Sequence, residues 1–323
     1  MENLFRTLAV AGIADALPLR YVDIGSRGGF LDDLLPIAFA VDALGFEPDP
    51  VAYAMLDYAP AGPWRSATFL PYGVGAKTGS ANLYVTTDPQ SASLMRHDPE
   101  IGRKFDKPQF FELDRTEAVD VLSLEEALKQ AKFDSADFLK IDIEGPELEV
   151  LEASSEAVRD LLCLKVEASF VPFRFDQPLA ADLDRFIRAQ GFELFDILGA
   201  RHWRRFGYHI HPYYSREPVP YARGQIVQAD YLYFRSVQSI GDDAARLIKL
   251  GLLYMAQGYF DHALLALERP TAAEMLYRDF DLSPIDAVAQ ASRKYGRRAF
   301  KAAAWRQFRG LIPFLRYHRN LFG

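Results

Sequence analysis

Short apolar runs alternate with amphipathic stretches through the first 235 residues of the chain. The runs have the length and composition of buried strands, and the stretches between them have the spacing of helices. Strands are predicted at residues 21–24, 38–46, 67–75, 81–86, 117–124, 138–145, 162–167, 192–197 and 228–235. Strands that alternate with helices predict an α/β fold with a doubly wound, mostly parallel sheet.

The pattern changes after Ser236, where the strands end. Helical periodicity runs through residues 242–267, and another helix is expected to begin at Ser283. We therefore predict an α/β domain over residues 1–238 and a helical, basic extension over residues 239–323.

Composition places the chain among soluble globular proteins, because half of its 323 residues are apolar and a quarter are charged. A formal net charge of −7 argues against a general nucleic-acid-binding surface. The single cysteine, Cys163, excludes an internal disulfide and a cysteine-based zinc site. The start lacks the features of a signal peptide, and no apolar run is long enough to span a bilayer, so a cytoplasmic protein is expected.

One stretch indicates a binding site for a nucleoside. The predicted strand Tyr21–Ile24 runs directly into the glycine turn Gly25-Ser26-Arg27-Gly28-Gly29, and a helix is expected at residues 30–35. Such a turn presents backbone N–H groups to a ligand. Glu47 follows at the tip of the second predicted strand, where a carboxylate can hydrogen-bond the hydroxyls of a ribose.

The residues around the turn favour one nucleoside cofactor over another. A dinucleotide requires G-x-G-x-x-G, whereas this turn reads G-x-x-G-G and follows Asp23. An acidic side chain would repel a pyrophosphate but suits the ammonium group of S-adenosylmethionine. The alternatives are a nicotinamide-dependent oxidoreductase and a tight strand-to-helix turn that binds nothing.

Three carboxylates are expected to meet at the carboxyl edge of the sheet. Asp142 and Glu144 end one predicted strand, and Glu167 ends another. One of them could act as a general base, or Asp142 and Glu167 could hold Mg²⁺ against a substrate hydroxyl. For Glu144 the alternative is a carboxylate that stabilises the N-terminus of the next helix.

Two polar segments are expected near this edge. Residues 87–110, which include Ser91, Ser93 and His97, are predicted to form a mobile loop. Residues 199–224 are rich in aromatic and basic residues, which suits binding of a sugar or a sugar phosphate. A histidine of that second segment could instead be the base; the candidates are His202, His209 and His211.

The end of the chain is basic and aromatic. From Ala287 onward there is no Asp or Glu, and nine Lys and Arg are interleaved with aromatic residues. Such a segment can lie on an anionic membrane as a peripheral contact, or bind a polyanion. The alternative is a solvated helix face packed on the acidic body of the same chain.

Several motifs together resemble the FkbM family of S-adenosylmethionine-dependent methyltransferases. They are YVDIGSRGG at 21–29, GFEP at 45–48, VDVLSLEEAL at 119–128, LKIDIEGPELEVLEAS at 139–154, KVEAS at 165–169 and DYLYFR at 230–235. The resemblance covers about residues 18–236 and implies a Rossmann-like class I methyltransferase fold. One departure is Arg27, where the family often has Asn.

The resemblance also implies roles for individual residues. Asp23, Gly25 and Gly29 would line the methionine part of the cofactor, with Gly28 in the same turn. Glu47 would hold the ribose, and Asp142 would lie beside the reactive methyl group.

The function that this resemblance implies is O-methylation of a sugar, a glycan or a related metabolite. The catalytic candidates are Asp142, Glu144 and Glu167. The alternative is a non-catalytic scaffold that keeps the nucleoside fold and docks through its basic C-terminal segment.

Overall fold

The computed structural model describes residues 2–57, 62–205 and 224–321, and it divides the chain into two compact units. The sheet unit consists of Leu19–Phe30 and Val41–Gly241. The helical unit consists of Met1–Pro18, Leu31–Ala40 and Asp242–Gly323. The boundary predicted at residue 238 lies close to the break at 241, but two N-terminal segments group with the C-terminal helices. The assignment of functions to 1–238 and 239–323 stays a prediction.

The strands of the sheet unit form two sheets. In chain order they are β1 (Leu19–Ile24), β2 (Val41–Phe46), β3 (Ser66–Leu70), β4 (Gly73–Val74), β5 (Gly79–Thr86), β6 (Leu113–Leu122), β7 (Phe138–Ile141), β8 (Cys163–Ser169), β9 (Phe192–Trp203) and β10 (Gln225–Arg235). The large sheet has the order β3-β2-β1-β7-β8-β10-β9, and the small one has the order β4-β6-β5. In the large sheet β10 pairs antiparallel with β8 and β9, and the other described pairs are parallel, so the predicted mostly parallel α/β fold is confirmed.

The order of the large sheet reverses between β1 and β7. From β1 the chain continues outward through β2 and β3, and it then returns to place β7 on the other side of β1. Ligands of open α/β sheets bind at such a switch point, beyond the carboxyl ends of the strands. The residues that follow Ile24 and Ile141 therefore occupy the position where a ligand is expected.

Helices complete both units. Those of the sheet unit are α2 (Pro50–Asp57), α3 (Pro99–Phe105), α4 (Leu124–Gln130), α5 (Glu147–Ala153), α6 (Ser155–Asp160), α7 (Ala180–Ala189) and α8 (Val237–Ile240). Those of the helical unit are α1 (Val10–Ala16), α9 (Ala244–Gln257), α10 (Phe260–Leu267), α11 (Pro270–Phe280) and α12 (Pro284–Leu321). Short 3₁₀ helices span Asp32–Ala40, Pro89–Ser91 and Pro108–Phe110. Ser123 caps α4 as predicted, since its Oγ accepts from Glu126 N at 3.3 Å.

The structure corrects several predicted boundaries. The strand predicted at 138–145 ends at Ile141, and the strand predicted at 67–75 breaks near Pro71 into β3 and β4. A 3₁₀ helix that contains Pro36 replaces the helix expected at 30–35. The predicted loop at 87–110 holds α3 and two 3₁₀ helices, and Gly258 in a left-handed conformation separates α9 from α10.

The core of the sheet unit is built from the apolar residues of its central strands. Val22, Ile24, Leu139, Ile141 and Val166 are buried together, with the helices packed around them. The lone Cys163 is buried in β8 and makes no disulfide. This packing fixes the ends of β1, β7 and β8, and so the positions of the polar residues there.

The helical unit packs α9, α10 and the start of α12 against one another. Leu267 of α10 covers Gly251 of α9 so closely that a Cβ atom there would lie 2.7 Å from Leu267 Cδ2. Ala287 and Ala291 of α12 are buried. Across the described ranges, no helix combines the length and hydrophobicity needed to cross a bilayer.

Candidate active site

The glycine turn packs directly against the end of β7. Gly25 has φ +86°, and a Cβ atom there would lie 1.9 Å from the backbone oxygen of Asp142. Only glycine therefore permits this close approach. Gly28 and Gly29 also have positive φ, but their Cβ positions meet nothing within 4 Å, so this side of the turn is open.

Ser26 links the glycine turn to β2 through hydrogen bonds. Its Oγ donates to the backbone oxygen of Asp23 at 2.8 Å and accepts from Phe46 N at 3.1 Å. The backbone N–H groups of Gly25 and Ser26 both donate to Phe46 O. The sequence did not identify this role, because a serine in a glycine turn has no local pattern that names its partner.

Asp23 and Lys140 form a buried ion pair beneath the turn. Asp23 is fully buried, and its Oδ1 lies 3.0 Å from Lys140 Nζ. The same Nζ donates to Gly25 O at 2.9 Å and lies 3.7 Å from Asp142 Oδ2. Burial lowers the pKa of Lys140, but the charges of Asp23 and Asp142 outweigh it, so the pKa rises on balance and the lysine stays protonated.

This pairing bears on the role predicted for Asp23. The sequence indicated a carboxylate facing the ammonium group of a ligand, whereas the ammonium group beside Asp23 belongs to Lys140. Lys140 thus connects the glycine turn with the end of β7. Direct contact between Asp23 and the cofactor stays a prediction.

Glu47 lies at the end of β2 in a second buried acidic group. Its Oε1 accepts from Asp49 N at 2.9 Å and lies 3.9 Å from Arg27 Nη2. Burial raises the pKa of Glu47, and the Asp49 N–H and the Arg27 charge offset only part of this rise. The contact of Glu47 with a ribose stays a prediction.

Arg27, the residue that departs from the family pattern, is an ion-pair partner in this group. Its Nη2 lies 2.5 Å from Asp49 Oδ2, and Arg115 Nη2 lies 3.4 Å from Asp49 Oδ1. Burial acts to raise the pKa of Asp49, but the Arg27 hydrogen bond and the Val51 N–H outweigh it, so the net pKa is lowered. Arg27 and Arg115 therefore keep a nearly buried aspartate ionised next to Glu47.

The structure brings Asp142, Glu144 and Glu167 together in what we call the carboxylate cluster. One oxygen from each lies within 4.8 Å of the others. Asp142 and Glu144 belong to the turn after β7, where Glu144 has φ +63°, and Glu167 projects from β8. The side chain of Asp142 is 35% exposed, whereas Glu167 is buried.

Burial and mutual repulsion raise pKa values in this cluster. Burial, followed by the charges of Asp142, Glu144 and Glu147, raises the pKa of Glu167 well above its ordinary value. The pKa of Glu144 is also raised by burial, with the Arg174 charge opposing the rise. Burial and neighbouring negative charge therefore favour the protonated forms of Glu144 and Glu167.

Arg174 closes the cluster on one side. It is fully buried, and its Nη2 donates to Glu144 Oε2 at 2.5 Å and to Ser91 O and Oγ at 3.2 and 3.1 Å. His97 Nε2–H donates to the same Ser91 O at 2.7 Å. Burial and the Arg174 charge lower the pKa of His97 to about 4, so this imidazole is neutral at physiological pH.

The segment 87–110 therefore lies beside the cluster, as the sequence indicated. Besides the contacts of Ser91, Ser93 Oγ donates to Glu144 O at 2.8 Å. Arg174 itself was not predicted, because nothing in the local sequence connects residue 174 with residue 144.

Glu147 shapes the turn that carries Glu144. Its Oε1 accepts from the backbone N–H of Ile143 at 3.0 Å and of Gly145 at 2.9 Å. Burial raises the pKa of Glu147 to about 7, although these N–H groups act in the opposite direction. The carboxylate that holds the backbone at the start of α5 is thus Glu147, while Glu144 faces Arg174 and the cluster.

Only part of the aromatic and basic segment at 199–224 is described. Trp203 packs among other rings, which are Phe105, Phe110, Phe111 and Phe173. His202 lies in β9 opposite Ile226 and is exposed. His209 and His211 lie outside the described residues.

Comparison with known proteins assigns the chain to a family. The model of the FkbM methyltransferase domain matches residues 30–194, which is about half of the chain. No curated protein sequence matches the chain.

Among solved structures, the precorrin-6Y C5,15-methyltransferase from Geobacter metallireducens is 10% identical, with coverage of 73% of this chain and 93% of that one and a TM-score of 0.32. The C-terminal domain of the Rhodobacter capsulatus enzyme of the same name is 12% identical, with coverage of 73% and 90% and a TM-score of 0.32. These structures are distant, so the family rests on the sequence match.

Proposed function

Because the chain belongs to the FkbM methyltransferase family, we propose that it transfers a methyl group from S-adenosylmethionine to a hydroxyl of a sugar or related metabolite. The observation that carries this proposal is the carboxylate cluster, which lies next to the glycine turn at the switch point of the sheet. S-adenosylmethionine, when bound, supplies an electrophilic methyl group on a sulfonium.

The residues at the switch point fit this cofactor. The open side of Gly28 and Gly29 leaves room for a ligand against bare backbone. Glu47 would hold the ribose, and the partly exposed Asp142 would lie beside the methyl group. Gly25 supports this arrangement, because its contact with Asp142 O fixes the distance between the turn and the cluster.

The cluster supplies what a hydroxyl acceptor needs. A hydroxyl must lose its proton as the new bond to carbon forms, so a base has to lie within hydrogen-bonding distance of the oxygen. Asp142 is the most exposed member and would contact the acceptor and take its proton, while Glu144 and Glu167 lie behind it within 4.8 Å. Burial raises the pKa of Glu144 and of Glu167, so each of them, when ionised, is a stronger base to which the proton can pass.

The choice of a sugar acceptor rests on the segment 199–224, whose aromatic and basic residues suit sugar rings and attached phosphates. Positioning of the acceptor is the other requirement, since in-line transfer depends on the alignment of oxygen, carbon and sulfur.

The same three carboxylates could instead hold Mg²⁺, with Asp142 and Glu167 as ligands and Glu144 as a third. A bound cation would then acidify the hydroxyl directly. Arg174 favours the base over the cation, because its positive charge already lies 2.5 Å from Glu144 Oε2. We therefore propose a carboxylate base and treat the metal as the competing mechanism.

The test measures transfer of labelled methyl from S-adenosylmethionine to a panel of sugars and amines, together with calorimetric binding of S-adenosylhomocysteine. Asp142→Asn should lower turnover by about 10²-fold or more and leave cofactor binding within several-fold. Asp134→Asn changes an exposed carboxylate and is the matched control. Glu47→Ala should weaken cofactor binding.

The outcomes separate the mechanisms. Loss of turnover with a chelator and recovery with Mg²⁺ would replace the base with a metal. Transfer to amines but to no hydroxyl would refute O-methylation. Tight cofactor binding without transfer to any acceptor would leave the non-catalytic scaffold as the better interpretation.

A further inference from the structure

The basic residues of the chain are concentrated at its end. Residues 287–323 contain nine of the 37 Lys and Arg and no Asp or Glu. The preceding 286 residues carry the other 28 Lys and Arg against all 44 Asp and Glu. The charge is therefore distributed unevenly along the chain: residues 1–286 are acidic overall, and residues 287–323 are basic.

The first part of α12 is packed and the next part is not. Ala287 and Ala291 are buried, and the ring of Tyr295 packs against Phe260 at 5.5 Å between centroids. From Gly296 to Phe308, every side chain that the structure describes is exposed, except the half-buried Ala299. The helix thus continues beyond its packed section with its described basic residues exposed.

Large aromatic side chains are exposed on this section. Phe300, Trp305 and Phe308 are 75%, 59% and 61% exposed. The rings of Trp305 and Phe308 stack, with their centroids 6.0 Å apart. Successive residues of an α-helix turn by about 100°, which places Phe300, Phe308 and Trp305 within about 140° of one another. Arg297 and Lys301 fall inside the same arc, and Arg298 lies at its edge. Exposed aromatic and basic residues thus share one side of the helix.

We propose that α12 from Gly296 onward lies along the surface of an anionic lipid bilayer, with Phe300, Trp305 and Phe308 inserted at the interface. The argument is charge complementarity combined with exposed apolar rings. Basic side chains attract anionic headgroups, and aromatic rings enter the boundary between headgroups and acyl chains. A nucleic acid would satisfy the charges, whereas an anionic lipid interface would satisfy both the charges and the exposed rings.

The experiment uses the full chain and vesicles of phosphatidylcholine with or without about 30% phosphatidylserine. Co-sedimentation and tryptophan emission report binding and insertion. The wild type should bind the anionic vesicles, bind neutral ones at least about tenfold more weakly, and show a blue shift of its emission.

Two triple variants separate charge from insertion. Changing Phe300, Trp305 and Phe308 to Ser should weaken binding at least about tenfold, and changing Arg297, Arg298 and Lys301 to Gln should do the same. The matched control changes Leu265 and Tyr277 to Ser, since these exposed apolar residues lie on α10 and α11. It should bind like the wild type.

Three results would overturn the proposal. They are failure of the folded wild type to bind anionic vesicles, unchanged binding by the aromatic variant, and equal loss of binding in the Leu265/Tyr277 control. Tighter binding to a single-stranded oligonucleotide than to the vesicles would assign the helix to a nucleic acid instead. Methyl transfer to a soluble acceptor should be unchanged in both triple variants, so the outcome is independent of the proposed reaction.

Discussion

Lys140 Nζ lies 3.0 Å from Asp23 Oδ1, and both side chains are buried beneath the glycine turn. The two residues belong to adjacent parallel strands, β1 and β7, on either side of the switch point. Through Gly25 O and Asp142 the same lysine also contacts the turn and the carboxylate cluster. One buried cation therefore connects the proposed cofactor site with the proposed catalytic site.

Replacement of this cation should be strongly destabilising. Lys140→Met leaves Asp23 buried without the charge of this lysine, and we expect a loss of about 3–5 kcal/mol in the free energy of unfolding. Urea unfolding at about pH 7.5 measures it, with the exposed Lys129→Met as control. Adding Asp23→Asn should recover part of the loss. If the double variant is as unstable as the sum of the two single ones, the pair is not coupled.

A methyl group at Gly25 should disturb the site more than one at Gly28. Both have positive φ, which costs an L-residue about 1–2 kcal/mol. At Gly25 the Cβ also meets Asp142 O at 1.9 Å, so Gly25→Ala should lose about 1–3 kcal/mol more than Gly28→Ala. Urea unfolding of the cofactor-free protein gives the comparison. Equal losses of stability in the two variants would mean that the turn is not packed closely against Asp142 O.

Glu147 should make the protein less stable as pH rises through the weakly acidic range. Its pKa is raised by burial from 4.5 to about 7, so the folded state binds a proton that the unfolded state releases. This stabilisation is complete below pH 4.5 and is lost as pH rises towards 7. The free energy of unfolding falls by about 1.4 kcal/mol for each unit of difference between the folded-state and unfolded-state pKa values.

Glu147→Gln has no such proton, and its amide oxygen can still accept from Ile143 N and Gly145 N. Relative to this variant, the free energy of unfolding of the wild type should fall between pH 4.5 and 7. Urea titrations at several pH values measure the difference, and the exposed Glu152→Gln serves as control. A difference that does not change with pH would show that Glu147 is ionised throughout.

Arg174 should determine the pH range over which the rate of methyl transfer rises. Its charge opposes the burial that raises the pKa of Glu144, so Arg174→Met should raise that pKa further. The acid limb of the rate–pH profile should then move to higher pH by about one unit. Arg174→Lys keeps the charge and should leave the limb in place even if turnover falls. The exposed Arg185→Met is the control, and an unmoved limb in Arg174→Met would contradict the role.

Local sequence patterns predicted the fold class, the glycine turn and the position of the three carboxylates. The alternation of apolar runs and helical stretches indicated the α/β fold, because strand and helix periods differ. The turn at Gly25 was recognisable because few residues other than glycine adopt its backbone conformation. The expected convergence of Asp142, Glu144 and Glu167 followed from the rule that parallel strands end at one edge.

The choice of partners was not predictable in the same way. Asp23 pairs with Lys140, Glu144 with Arg174 and Asp49 with Arg27, and each pair joins segments far apart in sequence. Such pairings depend on packing between elements, which no local period encodes. The grouping of residues 1–18 and 31–40 with the last helices is of the same kind.

The position of β7 beside β1 also has a kinetic consequence. Lys140 and Gly25, which meet there, are separated by 115 residues, whereas β1 and β2 follow each other closely along the chain. Closing the longer loop is slower and entropically less favourable. During refolding we therefore expect β1–β2 pairing to precede β1–β7 pairing. The cofactor site would then exist only after the last of these pairings, so a bound cofactor would slow unfolding without guiding the chain towards its fold.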